Sequence, residues 1–176
     1  IILSTMAKLT KNILVTGGCG FIGSHTLISL IEAGFVPTVV DNLSNSSIDT
    51  LKNVEIITNK KINFYKLNFL DRTSLEKVFN ETNFLAVIHF AAYKSVGDSW
   101  KNPIDYFINN ISASLNVLDL CKKYSIDKFI FSSSANVYGV DAEVPIVEDS
   151  NLDPSNPYGQ SKLILEKILF NLFISE

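Results

Sequence analysis

The chain is short of the residues from which extracellular, metal-dependent and nucleic-acid-binding proteins are built. Two cysteines, Cys19 and Cys121, give no disulfide framework. Neither they nor the two histidines, His25 and His89, recur at the spacing of a metal site, so no metal is expected. A reducing, cytoplasmic setting is expected instead. Arginine occurs once, at Arg72, and there is no basic block. With a formal net charge of −3, nucleic acid is excluded as the main partner. No apolar run approaches the roughly 18 residues that cross a membrane, so none is expected to do so. Repeats, low-complexity tracts and domain linkers are also missing. The start, Ile1 to Leu3, has no basic segment and does not read as a signal peptide, and Met6 is the first residue able to serve as a start. Residues 1–10 are therefore expected to be disordered or an upstream remnant. Residues 11–176 read as one domain. The whole chain's 47% hydrophobic and 19% charged residues are those of a folded protein with a real core.

What the sequence does have is glycine in one place. Asn12 to His25 runs from an apolar segment, Ile13 to Val15, into Gly17, Gly18, Gly20 and Gly23, and leaves along an amphipathic one. This is the pattern of a buried strand, a tight turn and a helix start. Gly17 allows the sharp turn, Gly20 lets a pyrophosphate approach the backbone, and Gly23 lets the helix lie close on the sheet. The free N–H groups and dipole at a helix N-terminus favour such an anion. The helix is expected over Thr26 to Ala33, with Gly34 as its cap. A second apolar run, Phe35 to Val40, ends at Asp41. A carboxylate there accepts both ribose hydroxyls of an adenosine and repels a 2′-phosphate, which favours NAD over NADP.

The alternation continues. Leu43 to Thr50 is a Ser- and Asn-rich loop, and Ile48 to Ile57 a short helix. Lys61 to Leu67 is a third strand. Asp71 N-caps a helix over Thr73 to Phe79. Phe84 to Phe90 is a fourth strand. Pro103 opens a long amphipathic helix with apolar positions Phe107, Ile111, Leu115, Leu118 and Leu120. Phe129 to Phe131 begins a fifth strand that runs into Ser132, Ser133 and Ser134. A proline-containing loop leads to a last helix, Tyr158 to Phe173. Strands alternating with helices imply an α/β fold: a Rossmann-type, doubly wound parallel sheet with helices on both faces. Ligands of such sheets bind at the strands' carboxyl ends, where the glycine turn, Asp41, Asn68, Ala91, Lys94 and the serine run all fall.

Tyr158 and Lys162 stand four residues apart, on one face of the last helix. A lysine cation beside a phenol favours the phenolate, so the pair can take a proton from an alcohol. Ser134 could donate to the same oxygen. Tyr124 and Lys128 have the same spacing but run from a helix end into a strand, so they are read as ordinary surface and core residues. His89 is read as a hydrogen-bonded core residue, and His25 as packing on the sheet or capping its helix. In Cys19 only the small size matters. Lys94 and, more weakly, Asn109 are read as contacts to the far half of the cofactor.

Taken together, residues 14–26, 41–46, 87–99, 129–139 and 157–162 resemble the UDP-glucose 4-epimerases of the extended short-chain dehydrogenase/reductase family. The resemblance runs from about Lys11 to the end. It implies tightly held NAD and a transient redox cycle through a 4-keto sugar, on UDP-galactose and UDP-glucose. Tyr158 would take the proton of the 4-hydroxyl while hydride passes to NAD. Lys162 would hold the nicotinamide ribose and tune Tyr158, and Ser134 would bond the reacting oxygen. Phe21 and Ile22 would contact the pyrophosphate. Asp41, Asn42, Leu43, Ser44, Asn45 and Ser46 would line the adenosine half. Asn68 and Phe69 would flank the adenine. Phe90, Ala91, Ala92, Tyr93, Lys94 and Asn109 would contact the rest of the cofactor. Lys94, Ser95 and Val96, with Ser134 and Tyr158, would face the sugar nucleotide. A homodimer is implied for the full-length family member. Asn68 stands where the family usually has Asp, and Gln160 where it often has Lys. Related 4,6-dehydratases place an acid just after the serine run, where this chain has Ala135 and Asn136. The family's chain continues into a second lobe that grips the UDP-sugar, so this sequence reads as an N-terminal part. The alternatives are another NAD-dependent sugar-nucleotide epimerase or decarboxylase, and an NAD-binding module without catalysis.

Overall fold

Five short strands make one parallel sheet in the computed structural model, which describes residues 11–174; the segment expected to be disordered, 1–10, lies outside the described residues. The strands are β1 (Asn12–Thr16), β2 (Val36–Asp41), β3 (Asn63–Lys66), β4 (Ala86–His89) and β5 (Phe129–Phe131). Their order is β3-β2-β1-β4-β5, and every pair is parallel. Asn12 sits opposite Val36, and Thr16 opposite both Val40 and His89. The helices are α1 (Phe21–Glu32), α2 (Asp49–Thr58), α3 (Arg72–Glu81), α4 (Val96–Lys101), α5 (Pro103–Phe107), α6 (Ala113–Lys123) and α7 (Pro157–Ile174).

Side chains alternate across each strand, so the sheet serves two cores. On one face Leu14, Val40 and Val87 pack with Leu75, Val78 and Phe79 of α3 and Val117 and Leu120 of α6. On the other, Ile13, Val15, Val39 and Ile88 pack with Leu27 of α1 and Leu51 and Val54 of α2. Burial on both faces is why β1, β2 and β4 read as unbroken apolar runs. The chain winds from β1 outward through β2 to β3, then returns to lay β4 on the other side of β1. Above that reversal two crossovers diverge and leave a crevice.

Three expectations need correction. Helix α1 starts at Phe21, directly after Gly20, not at Thr26. The region after β4 is not one long helix from Pro103. Ser95 caps the extra helix α4 by accepting from the Asp98 amide. Pro103, lacking an amide hydrogen, then starts α5 afresh. A π-helical turn at Ile108–Ser112 joins α5 to α6. The wider turn rotates the helix face, so Phe107 and Ile111 are half-buried and Leu115 is exposed, while Tyr106, Asn110, Ala113 and Ser114 go inside. His25 does not pack on the sheet; it is exposed on α1, edge-on to Phe21 with centroids 4.9 Å apart. The second Tyr/Lys pair is split as expected. The Tyr124 hydroxyl bonds Asn80 Oδ1 at 2.5 Å, and Lys128 pairs with Asp127. Among the described residues no helix is long and apolar enough to cross a membrane, and no group of three or more His, Cys, Asp or Glu could hold a metal.

Candidate functional site

A cavity of about 590 Å³ opens over the carboxyl ends of the strands. One wall is the glycine turn with the first turn of α1: Gly17, Gly20, Phe21, Ile22 and Gly23. Beside it stand Asp41, Asn42 and Ser44 to Ser46, then Phe69. Phe90 to Lys94 and Asn109 form the wall after β4, and Ser132, Tyr158 and Lys162 close the far side. Leu43, Asn68, Ser95, Val96 and Ser134, also expected in the site, are not on the cavity wall. Leu43 has φ 59° and packs toward the core. Asn68 spends its carboxamide oxygen on the Leu70 amide in a turn. Ser95 caps α4, and Val96 is that helix's first residue.

The glycine turn is forced by space. Gly17 has φ +68°, and a Cβ there would lie 2.7 Å from the Ala91 nitrogen. At Gly23 a Cβ would lie 2.5 Å from the Gly17 carbonyl oxygen, so the close approach is between α1 and the turn itself. Gly20, the N-cap of α1, brings no side chain to satisfy the helix's first amides. Such an end carries partial positive charge and free donors facing the cavity.

Asp41 is buried at the end of β2 and already holds three protein donors. Its Oδ2 accepts from the Cys19 amide at 3.1 Å, and its Oδ1 from the Leu43 amide at 2.9 Å and the Ser46 hydroxyl at 3.0 Å. It therefore fixes the glycine turn and the loop after β2 as well as facing the cavity. Burial and the Asp41 charge push the Cys19 thiol up to about 12, which leaves it an inert neutral group.

On α7, Asn156 caps the first turn by accepting from the Gly159 amide at 2.8 Å, and Tyr158 and Lys162 follow on one face. Both are buried. Lys162 Nζ donates to the Ser132 carbonyl at 2.8 Å, lies 4.7 Å from the Phe131 ring centroid and 5.9 Å from that of Tyr158. Burial lowers the Lys162 ammonium from its ordinary 10.5 to about 8. Ser134 Oγ accepts from the amide and the side-chain nitrogen of Asn136, both at 3.2 Å, so its own proton is left to donate elsewhere. The neighbouring Ser133 hydroxyl bonds Glu166 of α7, which stitches the end of β5 to the helix carrying Tyr158.

Sequence reasoning passed over the residue that ties these walls together. Asn110, buried in the π turn, accepts from the Tyr93 amide at 2.8 Å and donates to both the Tyr93 carbonyl and Ser161 Oγ at 3.0 Å. Ser161 in turn donates to the Tyr158 carbonyl at 2.7 Å. The sequence marks it only as the second of two adjacent asparagines, Asn109 and Asn110. The second is the one that joins the wall after β4 to α7.

A parallel sheet whose strand order reverses above a glycine turn, with the polar residues gathered there, defines a Rossmann-type α/β domain. The particular family follows from comparison with known proteins. The chain belongs to the family described as GDP-mannose 4,6 dehydratase, whose model matches residues 14–175. The UDP-glucose 4-epimerase of Dictyostelium discoideum is 48% identical over 171 residues, covering 97% of this chain and 50% of that protein. That of Bacillus subtilis is 48% identical over 164 residues, covering 93% and 48%. The crystal structure of UDP-glucose 4-epimerase from Bifidobacterium longum in complex with NAD+ and UDP superposes with a TM-score of 0.91 at 44% identity, over 94% of this chain and 50% of that one. The UDP-Glc/GlcNAc 4-epimerase from Campylobacter jejuni gives 0.88 at 36%, over 94% and 50%. The chain spans about half the length of the curated relatives it matches. The resemblance read from the sequence is borne out.

Proposed function

We propose that this chain supplies the NAD site and the proton-transfer groups of an enzyme that inverts C4 of a UDP-hexose, interconverting UDP-galactose and UDP-glucose. The observation that carries the reading is the meeting of the glycine turn and the Tyr158/Lys162 pair on one cavity. The residues fit NAD. Gly20 leaves room at the uncapped start of α1 for a pyrophosphate. Asp41 keeps acceptor capacity at Oδ2 for a ribose hydroxyl, and its charge disfavours a 2′-phosphate. Phe21, Ile22, Asn42 and Ser44 to Ser46 would hold the adenosine half beside Phe69, and Phe90 to Lys94 with Asn109 the other half. Asn68 and Leu43 would act through the loops they shape.

Bound there, NAD would supply the reversible hydride acceptor. Tyr158 takes the proton of the substrate's 4-hydroxyl and later returns it to the 4-keto oxygen after the sugar has presented its other face. Lys162, already desolvated beside the Tyr158 ring, would stabilise a phenolate there by its charge and would be the residue that holds a ribose hydroxyl. Ser134 lies off the cavity wall but keeps a free proton, which it would donate to the reacting oxygen once its hydroxyl is turned inward. Ala135 and Asn136 after the serine run bring no acid, which favours epimerisation over dehydration. Lys94, exposed on the cavity rim, would meet the sugar nucleotide, with Ser95 and Val96 behind it.

Ser95 and Val96 lie off the cavity wall. This favours, as a second reading, a module that binds NAD without turning over sugar. An assay of UDP-galactose conversion on NAD-loaded protein separates the two. Conversion that Tyr158→Phe abolishes while NAD stays bound supports the first reading; a folded, loaded protein without conversion supports the second. A homodimer in a cytoplasmic setting is part of the proposal. Exposed Ile104, Ile108 and Leu115, with Ile164 of the adjoining α7, offer an apolar face for a second copy.

A further inference from the structure

Thr16 and Ser114 lie beneath the cavity and His89 at its floor, each at most 1% exposed. Their proton directions are fixed by the groups at either end. Ser114 Oγ is 2.5 Å from the Asn110 carbonyl, which can only accept, so the single hydroxyl proton goes there. The 2.7 Å contact from His89 Nε2 to Ser114 Oγ must then be an N–H donated by the ring. A neutral ring with its proton on Nε2 accepts at Nδ1, so the Thr16 hydroxyl, 2.7 Å away, donates to it. Thr16 Oγ1 is left to accept from the Ala91 amide at 3.3 Å. One directed chain thus runs from Ala91 through Thr16, His89 and Ser114 to Asn110.

Both ends of that chain hold the same cavity wall. Ala91 is the residue against which Gly17 turns, and the Asn110 side chain clasps the amide and carbonyl of Tyr93. The ring is boxed by Phe69, Phe129 and Phe131, with centroids 6.3, 5.7 and 6.2 Å away. Phe131 also carries Lys162 Nζ over its ring. Burial, with the Lys162 charge, lowers the imidazole to about 3, in keeping with a ring that stays neutral.

We propose that His89 is a positioning residue of the dinucleotide site: as the Nε2–H tautomer it links Thr16 to Ser114 and sets the Phe90–Lys94 wall against the glycine turn. This rests on the reading that the cavity takes NAD. Almost wholly buried at the cavity floor, His89 acts through Thr16, Ser114 and Asn110.

The test is NAD+ titration by calorimetry on the whole chain, with thermal denaturation alongside. His89→Phe fills the aromatic box and keeps neither hydrogen bond. His89→Asn keeps an acceptor for Thr16, and His89→Gln keeps a donor for Ser114. The expected result is an NAD+ Kd raised by about tenfold in His89→Phe, the loss of one to two net hydrogen bonds' worth of order, with Asn and Gln between it and wild type. Thr16→Val alone weakens binding, and added to His89→Phe weakens it little further, because both cut one chain. Nitrogen-15 NMR of His89 shows the proton on Nε2. Wild-type affinity in His89→Phe, even with a lowered Tm, overturns the proposal and leaves His89 as packing, as does a proton on Nδ1. A wild-type chain that binds no NAD+ sinks the underlying reading instead, and with it this proposal. Where His89→Phe fails to fold, the Thr16→Val and His89→Gln affinities decide in the same way.

Discussion

Asp41 and Lys162 are each held by the protein in a state that a ligand would have to share. Asp41 satisfies the Cys19 and Leu43 amides. Asp41→Ala leaves both without their acceptor, and a loss of about 2 kcal/mol in urea denaturation is expected; unchanged stability would mean the loops do not depend on it. Lys162 is charged in the unfolded chain below its ordinary 10.5 but in the folded one only below about 8. Unfolding therefore takes up a proton between those values, and stability rises with pH across that window. Relative to Lys162→Met, the wild type is expected to gain about 3 kcal/mol from pH 8 to 10.5 in denaturant titrations. Parallel curves would show that the ammonium is not desolvated. Tyr158 and Lys162 were legible in the sequence because their spacing is that of an ordinary helix. His89 was legible as a hydrogen-bonded core residue, but its partners were not. Its role in the chain of hydroxyls needs the register that sets Thr16 beside it, which no local pattern encodes.

At the scale of elements, the strands were read correctly because a sheet buried on both faces needs continuous apolar segments, and β1, β2 and β4 have them. Asp71 was read as an N-cap and does accept from the Ser74 amide. The region from Ser95 to Lys123 was not legible. A π turn adds a residue without a sequence mark, and the side chain it turns inward is a polar one, Asn110. Helical periodicity therefore chose Leu115, which is exposed, over Ser114, which is buried. The structure makes the two asparagines unequal. Asn110→Ala strips partners from Tyr93 and Ser161, and is expected to cost about 3 kcal/mol. Asn109→Ala, half-buried on the rim, is expected to change stability by under about 0.5 kcal/mol. Equal effects in urea denaturation would contradict the hub role of the π turn.

For the molecule as a whole, the five strand ends that looked polar in sequence do converge on one side of the sheet, and one cavity connects four of them. That convergence was legible because parallel strands all end on the same edge. The exposed Ile104, Ile108, Leu115 and Ile164, proposed as a face for a second copy, were not, since single exposed Ile and Leu residues are common. If that face pairs two copies, light scattering gives a dimer for the wild type and a monomer for the double variant Ile108→Glu, Leu115→Glu. A wild-type monomer removes the patch from the account. The central claim is that this cavity takes NAD, and comparative calorimetric titration with NAD+ and NADP+ tests it most directly. The prediction is one NAD+ per chain, with NADP+ at least about tenfold weaker because Asp41 opposes the extra phosphate. Absent binding of NAD+ by folded protein, or preference for NADP+, would contradict it.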